Sequence, residues 1–149
     1  MKKVLILLLC FVALNAKDKI EKWGDIVQIV VPVSAATYSY VKQDYEGIAL
    51  EAGTILATQL VVEGLKNAVK EKRPNYKSGD LKKSFPSGHA AGAFIGASYI
   101  HARYSFKEAI PFYILASYVG YSRVHAKKHY VHDVLAGAAI AVVGGVVIS

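Results

Sequence analysis

Apolar residues fall into five long runs, at residues 26–41, 48–62, 90–100, 109–121 and 134–148, and polar, basic stretches separate these runs. Strand-like alternation of apolar and polar positions is absent, and alanine and glycine dominate the last three runs. Long apolar runs without a two-residue period are typical of helices. The pattern therefore predicts an all-α fold, a helical bundle of about five to six helices.

Two of the runs are preceded by residues that favour a helix start. Ser105 stands three residues before Glu108, the spacing of a capping box, ahead of the fourth run. Ser87 is a suitable N-cap for the third run and is followed by Gly88 and His89. We therefore expect helices to begin just after Ser87 and Ser105.

The N-terminal segment MKKVLILLLCFVALNAK has two lysines before an apolar run. This is the layout of a secretory signal, with cleavage expected after Ala16, and an uncleaved N-terminal membrane anchor is the alternative. Both interpretations of residues 1–16 export the chain or hold it at a membrane. Residues 17–149 are of a size expected for a single helical domain.

Each apolar run is shorter than the roughly 20 residues that a bilayer span needs, which leaves a soluble bundle with a small-residue core as an alternative. Gly92 and Gly96 nevertheless permit the close helix contact seen in membrane bundles. Tyrosines cluster at the ends of the runs, as in the aromatic belts of membrane proteins. The pattern favours a membrane-associated bundle.

Composition changes the picture in one respect. The chain is 54% hydrophobic, yet its formal net charge is +7. Such a balance favours an anionic partner, which could be a phosphate, an acidic lipid or a nucleic acid. The single cysteine, Cys10, excludes an internal disulfide.

The first polar constellation lies at the end of the second run, in KNAVKEKRP. Lys66 and Arg73 are seven residues apart and would share one face if the helix continues between them. Their side chains could then close on one anion, and Arg73 would supply a planar fork suited to phosphate. Taken alone, the stretch is better interpreted as a solvated basic helix end.

The second constellation is the start of the third run. The first backbone N–H groups of a helix are unpaired and, with the helix dipole, favour an anion. Gly88 would let the backbone approach that anion closely, and His89 beside it could donate a proton. An ordinary capped helix with a surface histidine is an equally good interpretation of these residues alone.

The third constellation lies in SRVHAKKHYVHDVLAG. Arg123 is a further fork donor, and His129 stands four residues before Asp133. On a helix this spacing lets the carboxylate reach the imidazole. A carboxylate on one ring nitrogen fixes the tautomer and makes the other nitrogen more basic. The pair therefore indicates a histidine prepared for chemistry.

A zinc site is the competing interpretation of the same stretch. His125, His129, His132 and Asp133 could form a metal cluster, since histidine pairs four residues apart bind zinc on helices. That reading leaves the three cations Lys66, Arg73 and Arg123 without a use, and cations repel a metal ion. We therefore expect no metal at this site.

Together the three stretches resemble the signature of the type 2 phosphatidic acid phosphatase superfamily, K-x6-RP, then PSGH, then SR-x5-H-x3-D. Every fixed position is present, in order and with the internal spacings kept. The resemblance covers residues 66–137 and implies a helical core with these loops meeting at one end. It implies phosphoryl transfer through a phosphohistidine, without metal or cofactor.

The resemblance also implies a role for each residue of the motifs. His129 would be the nucleophile, oriented by Asp133, and His89 would be the general acid and then the base for water. The phosphate oxygens would be held by Lys66, Arg73, Ser87, the Gly88 amide and Arg123. The sequence thus predicts catalytic residues and an anion clamp at one end of the bundle.

The function expected from this resemblance is hydrolysis of a lipid phosphate or diphosphate, with the membrane as partner and no nucleic acid. The location expected is the inner membrane with the active site on the outer, periplasmic face, although the basic stretch 66–83 would by itself indicate a cytoplasmic loop. An exported, soluble acid phosphatase acting on small phosphoesters is the alternative. A vanadate-dependent haloperoxidase would share the anion pocket but is usually a much larger chain. A non-catalytic basic module that binds membranes or nucleic acid would explain the charge but not the His129–Asp133 pair or the ordered motifs.

Overall fold

The computed structural model describes the backbone of residues 2–148 and the side chains of residues 19–148. It contains five helices, α1 (Lys2–Val41), α2 (Tyr45–Val69), α3 (Gly88–Arg103), α4 (Phe106–His125) and α5 (Val131–Ile148). The described backbone has no strand, only an isolated antiparallel bridge between Lys72 and Lys83. The predicted all-α bundle is confirmed. The signal or anchor expected at residues 1–16 lies outside the residues whose side chains are described.

The helices alternate in direction, and α3 contacts all four others. At one end, the Ser87 N–H before α3 donates to the Asp133 carbonyl oxygen in the first turn of α5, at 2.9 Å. At the other end, the Ser39 and Tyr99 hydroxyls, near the ends of α1 and α3, lie 2.7 Å apart. The starts of α3 and α5 and the ends of α2 and α4 therefore meet at one end of the bundle.

Three helix ends follow from local residues. Ser87 and Ser105 cap α3 and α4 as predicted, accepting hydrogen bonds from the Ala90 N–H at 3.3 Å and the Glu108 N–H at 3.2 Å. Helix α2 ends at Val69 because Lys70 adopts a left-handed conformation with φ of 55°. No helix therefore continues from Lys66 to Arg73, and the expectation that a helical face joins them is wrong.

Helices α3 and α5 touch through small residues. Gly137, Ala141 and Gly145 recur every four residues on one buried face of α5. A methyl group on Gly137 would overlap the Ser87 carbonyl oxygen, and one on Gly145 would overlap the Ser98 side chain. We call this contact the small-residue seam. It holds the starts of α3 and α5 at a fixed spacing.

Within the part of the chain that the structure describes, two helices, α2 and α5, are long and apolar enough to cross a membrane. Their outer faces carry large apolar side chains, including Leu60, which is 74% exposed, and Val147, which is 75% exposed. Such continuous apolar faces are costly in water and suited to lipid. The surface therefore indicates association with a membrane.

The end of the bundle opposite the starts of α3 and α5 is held by a polar network around Asp44. The Asp44 carboxylate accepts from the Gly47 N–H at 2.9 Å, from two Arg103 nitrogens at 2.8 Å each, and from the Tyr104 hydroxyl at 2.8 Å. The hydrogen bonds from Arg103 and Gly47 hold the pKa of Asp44 well below its usual range. This carboxylate thus ties the start of α2 to the end of α3.

Candidate active site

At the end of the bundle where the predicted motifs lie, backbone hydrogen bonds join the loops between the helices. The Ser84 N–H donates to the Glu71 carbonyl oxygen at 2.8 Å, and the Asn75 N–H donates to the Lys127 carbonyl oxygen at 3.1 Å. These bonds join the segment after α2 to itself and to the loop between α4 and α5. All eight predicted site residues are consequently placed at this one end.

His129 and Asp133 are both buried, with side chains 2% and 0% exposed. His129 Nδ1 lies 3.7 Å from Asp133 Oδ2, which is too long for a hydrogen bond. The carboxylate instead accepts from the Ser84 hydroxyl and from the Tyr130 N–H at 2.7 Å. Because α5 begins at Val131, His129 lies in the turn ahead of the helix, and the expected contact along one helix is not formed.

The surroundings of His129 favour its neutral form. Burial lowers the pKa of the imidazole well below its usual range, nearby Arg73 and Lys66 lower it further, and Asp133 opposes them. A neutral imidazole has an unshared electron pair on one ring nitrogen. His129 is therefore in the protonation state that a nucleophile needs at neutral pH.

Two of the predicted cations are paired with neutral backbone groups. Lys66 Nζ donates to the Pro86 carbonyl oxygen at 2.8 Å, and Arg73 Nε donates to the Lys83 carbonyl oxygen at 3.3 Å. Both side chains line a cavity of about 320 Å³, together with two further cations, Lys82 and Lys83, and one acidic residue, Glu63. A phosphate oxygen forms stronger, charge-assisted bonds than a carbonyl oxygen does. The cavity therefore provides cationic groups suited to an anion.

The start of α3 lies beside this cavity. Ser87 is buried, and Gly88 is backed by the α2 side chains, since a Cβ atom on Gly88 would lie 4.0 Å from Lys66 Cε. The unpaired N–H groups at the start of a helix add a positive field near that lysine. The structure thus brings the Ser87–Gly88 turn and Lys66 together, although they come from different helices.

Arg123 is completely buried and is held against α1. Its Nη1 donates to Asp25 Oδ1 at 2.7 Å, and its Nη2 donates to the Glu21 carbonyl oxygen at 2.8 Å. The same Asp25 oxygen lies 3.3 Å from His89 Nε2. Gly24 permits this approach of α1, because a methyl group there would overlap Ser122. Asp25 therefore connects the predicted acid, His89, to a predicted phosphate ligand.

Sequence reasoning missed Asp25. The residue precedes the first apolar run and lies far from the three motifs along the chain. Its only feature in the sequence is that it is an acidic residue between a polar stretch and an apolar run. Acidic residues are common at such boundaries without having a catalytic role. Only the packing of α1 against the end of α4 reveals its partners.

The zinc cluster considered from the sequence is not assembled. His125 packs on Tyr121, with ring centroids 5.5 Å apart, and does not join the other histidines. Among the described side chains, Glu71, His132 and Asp133 offer ligand atoms within 4.8 Å of one another. His132 Nε2 bridges the two acids, at 2.9 Å from Glu71 Oε1 and 3.1 Å from Asp133 Oδ1. Among residues 19–148, this group, and not the four residues considered from the sequence, is the one whose side chains could hold a metal ion.

The sequence of residues 48–149 matches the family model described as the PAP2 superfamily. The chain belongs to the PAP2 superfamily. This match confirms the resemblance drawn from the three motifs, and it extends the family region towards the start of α2.

Two curated relatives of this PAP2 chain are lipid A phosphatases. The chain is 35% identical over 133 residues to the lipid A 4'-phosphatase of Helicobacter pylori, with 82% of the chain and 65% of the relative covered. It is 29% identical over 138 residues to the lipid A 1-phosphatase of Porphyromonas gingivalis, with 85% of the chain and 29% of the relative covered. The chain thus spans less than two thirds of either relative.

Two crystal structures have the same fold. Aquifex aeolicus LpxE superposes with a TM-score of 0.73 at 22% identity, covering 89% of this chain and 84% of that one. A transmembrane PAP2 type phosphatidylglycerolphosphate phosphatase from Bacillus subtilis superposes with a TM-score of 0.64 at 19% identity, covering 90% and 73%. The PAP2 fold therefore extends over α1 as well as over the helices that carry the motifs.

Proposed function

We propose that this PAP2 chain is a metal-independent phosphatase that hydrolyses lipid phosphate or lipid diphosphate esters through a phosphohistidine. The observation that carries the proposal is the position of His129, a buried imidazole whose pKa is lowered by burial and by the nearby cations Arg73 and Lys66. The names of the two curated relatives support a lipid phosphate as substrate. The outward apolar faces of α2 and α5 support a substrate that reaches the site from a membrane.

In the first step, the free ring nitrogen of His129 attacks phosphorus as the bond from phosphorus to the lipid oxygen breaks. His89 donates a proton to the departing oxygen, so the lipid leaves as an alcohol, or as a monophosphate from a diphosphate. The phosphorylated imidazole gains positive charge, and the Asp133 carboxylate lies beside it. Lys66, Arg73 and Arg123 neutralise the oxygens of the transferring group.

In the second step, water attacks the phosphorylated His129 and inorganic phosphate leaves. His89, now neutral, takes a proton from the water as the new oxygen–phosphorus bond forms and the nitrogen–phosphorus bond breaks. Asp25, 3.3 Å from His89 Nε2, stabilises the protonated form of His89 at the end of this step. The enzyme returns to its starting protonation state, ready for another ester.

We also propose that the protein lies in the inner membrane with the site on the periplasmic face. Basic loops of membrane proteins tend to lie in the cytoplasm, and by this rule alone segment 66–83 would be placed on the opposite, cytoplasmic side. Four of its basic residues, Lys66, Arg73, Lys82 and Lys83, however, line the cavity next to the start of α3, where they have a use in binding an anion. Labelling a cysteine introduced into this segment, in intact cells with an impermeant reagent, measures the orientation directly.

The decisive experiment compares two histidine variants on a lipid phosphate and on an activated aryl phosphate. His129→Ala should abolish turnover of both, because every substrate needs the nucleophile. His89→Ala should lose about 10²–10⁴-fold on the lipid and much less on the aryl phosphate, whose leaving group needs no proton. His101→Ala, in the last turn of α3 at the other end of the bundle, is the matched control and should retain turnover.

Wild-type turnover should survive excess chelator and be blocked by vanadate. Labelled phosphate should be trapped on His129 after rapid quenching. Equal losses on both substrates in the two variants, or label attached to His89, would show that the assigned roles are wrong. Activity lost to chelator and restored by zinc or magnesium would instead require a metal mechanism.

A further inference from the structure

Glu51 is a buried acidic residue that the proposed reaction does not use. It lies in the second turn of α2 and is 1% exposed. Neither of its carboxyl oxygens has a hydrogen-bond partner among the residues whose side chains the structure describes. Burying an unpaired polar group is costly, and an ionisable residue inside a candidate membrane span points to a functional site. We therefore expect Glu51 to form a hydrogen bond with a group that residues 19–148 do not provide.

The carboxyl group lines a groove between α1 and α2. The groove has a volume of about 410 Å³ and is lined mainly by apolar side chains, including Ile29, Val33 and Ile55. Its polar side chains are Gln28, Glu51 and Gln59. An apolar cleft with a few polar groups is typical of a site that binds an apolar ligand and fixes its position.

One end of this groove reaches the candidate active site. Gln59 lines the groove, and a Cβ atom on Gly88 would lie 3.8 Å from Gln59 Oε1 and 4.0 Å from Lys66 Cε. Glu51 lies further down the same helix, about 22 Å from Lys66 along the axis at 1.5 Å per residue. A ligand whose phosphate contacts Lys66 would therefore meet Glu51 with its chain and not with its headgroup.

We propose that this groove binds an acyl chain of the phosphorylated substrate, and that Glu51 accepts a hydrogen bond from a hydroxyl group within that chain. The inference rests on the proposed lipid phosphatase function. A hydroxyl group on an otherwise apolar chain complements a carboxyl group in an otherwise apolar groove. Lipids with such a group satisfy Glu51, and unsubstituted chains leave it unpaired.

The test uses stearyl monophosphate and a stearyl monophosphate with one hydroxyl near the far end of its chain, both in detergent micelles. Wild-type protein should show a KM roughly three- to tenfold lower for the hydroxylated lipid, the range of one hydrogen bond. Glu51→Met, which replaces the carboxyl group by an apolar chain of similar size, should abolish this preference. Glu51→Gln keeps an acceptor oxygen and should retain it. Turnover of a soluble aryl phosphate should be unchanged in both variants.

Glu46→Met is the matched control, because Glu46 lies on α2 but its side chain is 79% exposed and outside the groove. This variant should keep the wild-type preference. Equal KM values for the two lipids in wild-type protein, or a preference that survives in Glu51→Met, would overturn the proposal. A dimer that Glu51→Met dissociates would also overturn it, since a second copy of the chain would then occupy the groove.

Dissociation constants of the same two lipids, measured on detergent-solubilised protein, separate this inference from the proposed function. If no phosphate ester is hydrolysed, the function is wrong, and the lipid affinities still test Glu51. If the esters are hydrolysed but the affinities and KM values do not depend on the hydroxyl group, only the groove proposal fails. If Glu51→Met does not fold, the proposal is tested by the preference for the hydroxylated lipid in wild-type protein and in Glu51→Gln.

Discussion

Replacing Asp25 by asparagine should move the alkaline limb of the pH–rate profile to lower pH. His89 acts as a general acid in its protonated form, so activity falls as pH rises through its pKa. His89 lies in the first turn of α3, outside both candidate spans. Burial and the Arg123 guanidinium lower the pKa of His89, and the Asp25 carboxylate raises it. Removing that carboxylate should therefore lower the pKa further.

The size of the shift follows from the distance. Asp25 Oδ1 lies 3.3 Å from His89 Nε2, and both side chains are more than a third exposed. With a water-like effective dielectric constant, the attraction at this distance is about 1.3 kcal/mol. One pKa unit corresponds to about 1.4 kcal/mol. The limb should move by about one pH unit towards acid.

The assay is kcat/KM for a lipid phosphate between about pH 5 and pH 9, with an activated aryl phosphate measured in parallel. Glu21→Gln removes the same charge one turn earlier on α1, where Glu21 pairs with Lys128 and not with His89. Its limb should stay in place. The reasoning would be refuted if the alkaline limb of Asp25→Asn stays in place or moves to higher pH. It would also be refuted if Glu21→Gln shifts the limb by the same amount as Asp25→Asn.

Two predictions concern stability, measured as thermal or denaturant unfolding in detergent. Gly137→Ala should destabilise the protein by about 1–3 kcal/mol and reduce turnover, because the new methyl group overlaps the Ser87 carbonyl oxygen; Gly64→Ala, whose methyl group meets nothing within 4 Å, should be neutral or stabilising. Asp44→Asn should cost about 1.5–3 kcal/mol near neutral pH. Because the folded-state pKa of Asp44 is depressed, this loss should shrink as pH falls below about 4. Glu46→Gln, at a side chain that is 79% exposed, should cost less near neutral pH.

Much of the fold could be predicted from local sequence. The Ser87 and Ser105 caps depend on residues within one turn, and the structure has both. Each of the five described helices contains one of the apolar runs, although α1 begins at Lys2, well before its run at residues 26–41. The prediction failed at Lys70, whose left-handed conformation ends α2 five residues before Pro74. Nothing about lysine requires that conformation, so the pattern did not reveal it.

The site was predictable in its composition but not in its internal contacts. The ordered motifs predicted eight residues at one end of the bundle, and the structure places them there. The spacing of His129 and Asp133 did not reveal that Ser84 and Tyr130 take the carboxylate oxygen. Partners that come from distant segments, such as Asp25 for Arg123, depend on tertiary packing and have no local sequence signal.

The small-residue seam between α3 and α5 separates positions where substitution is restricted from positions where it is tolerated. Along the seam, a side chain added at Gly137 would collide with the Ser87 backbone, and one added at Gly145 would collide with Ser98. The groove in which we propose that the lipid chain binds lies between α1 and α2, outside this contact. For protein engineering, this means that chimaeras exchanging residues 26–62 between PAP2 chains should acquire new lipid preferences while His89 and His129 keep their separation.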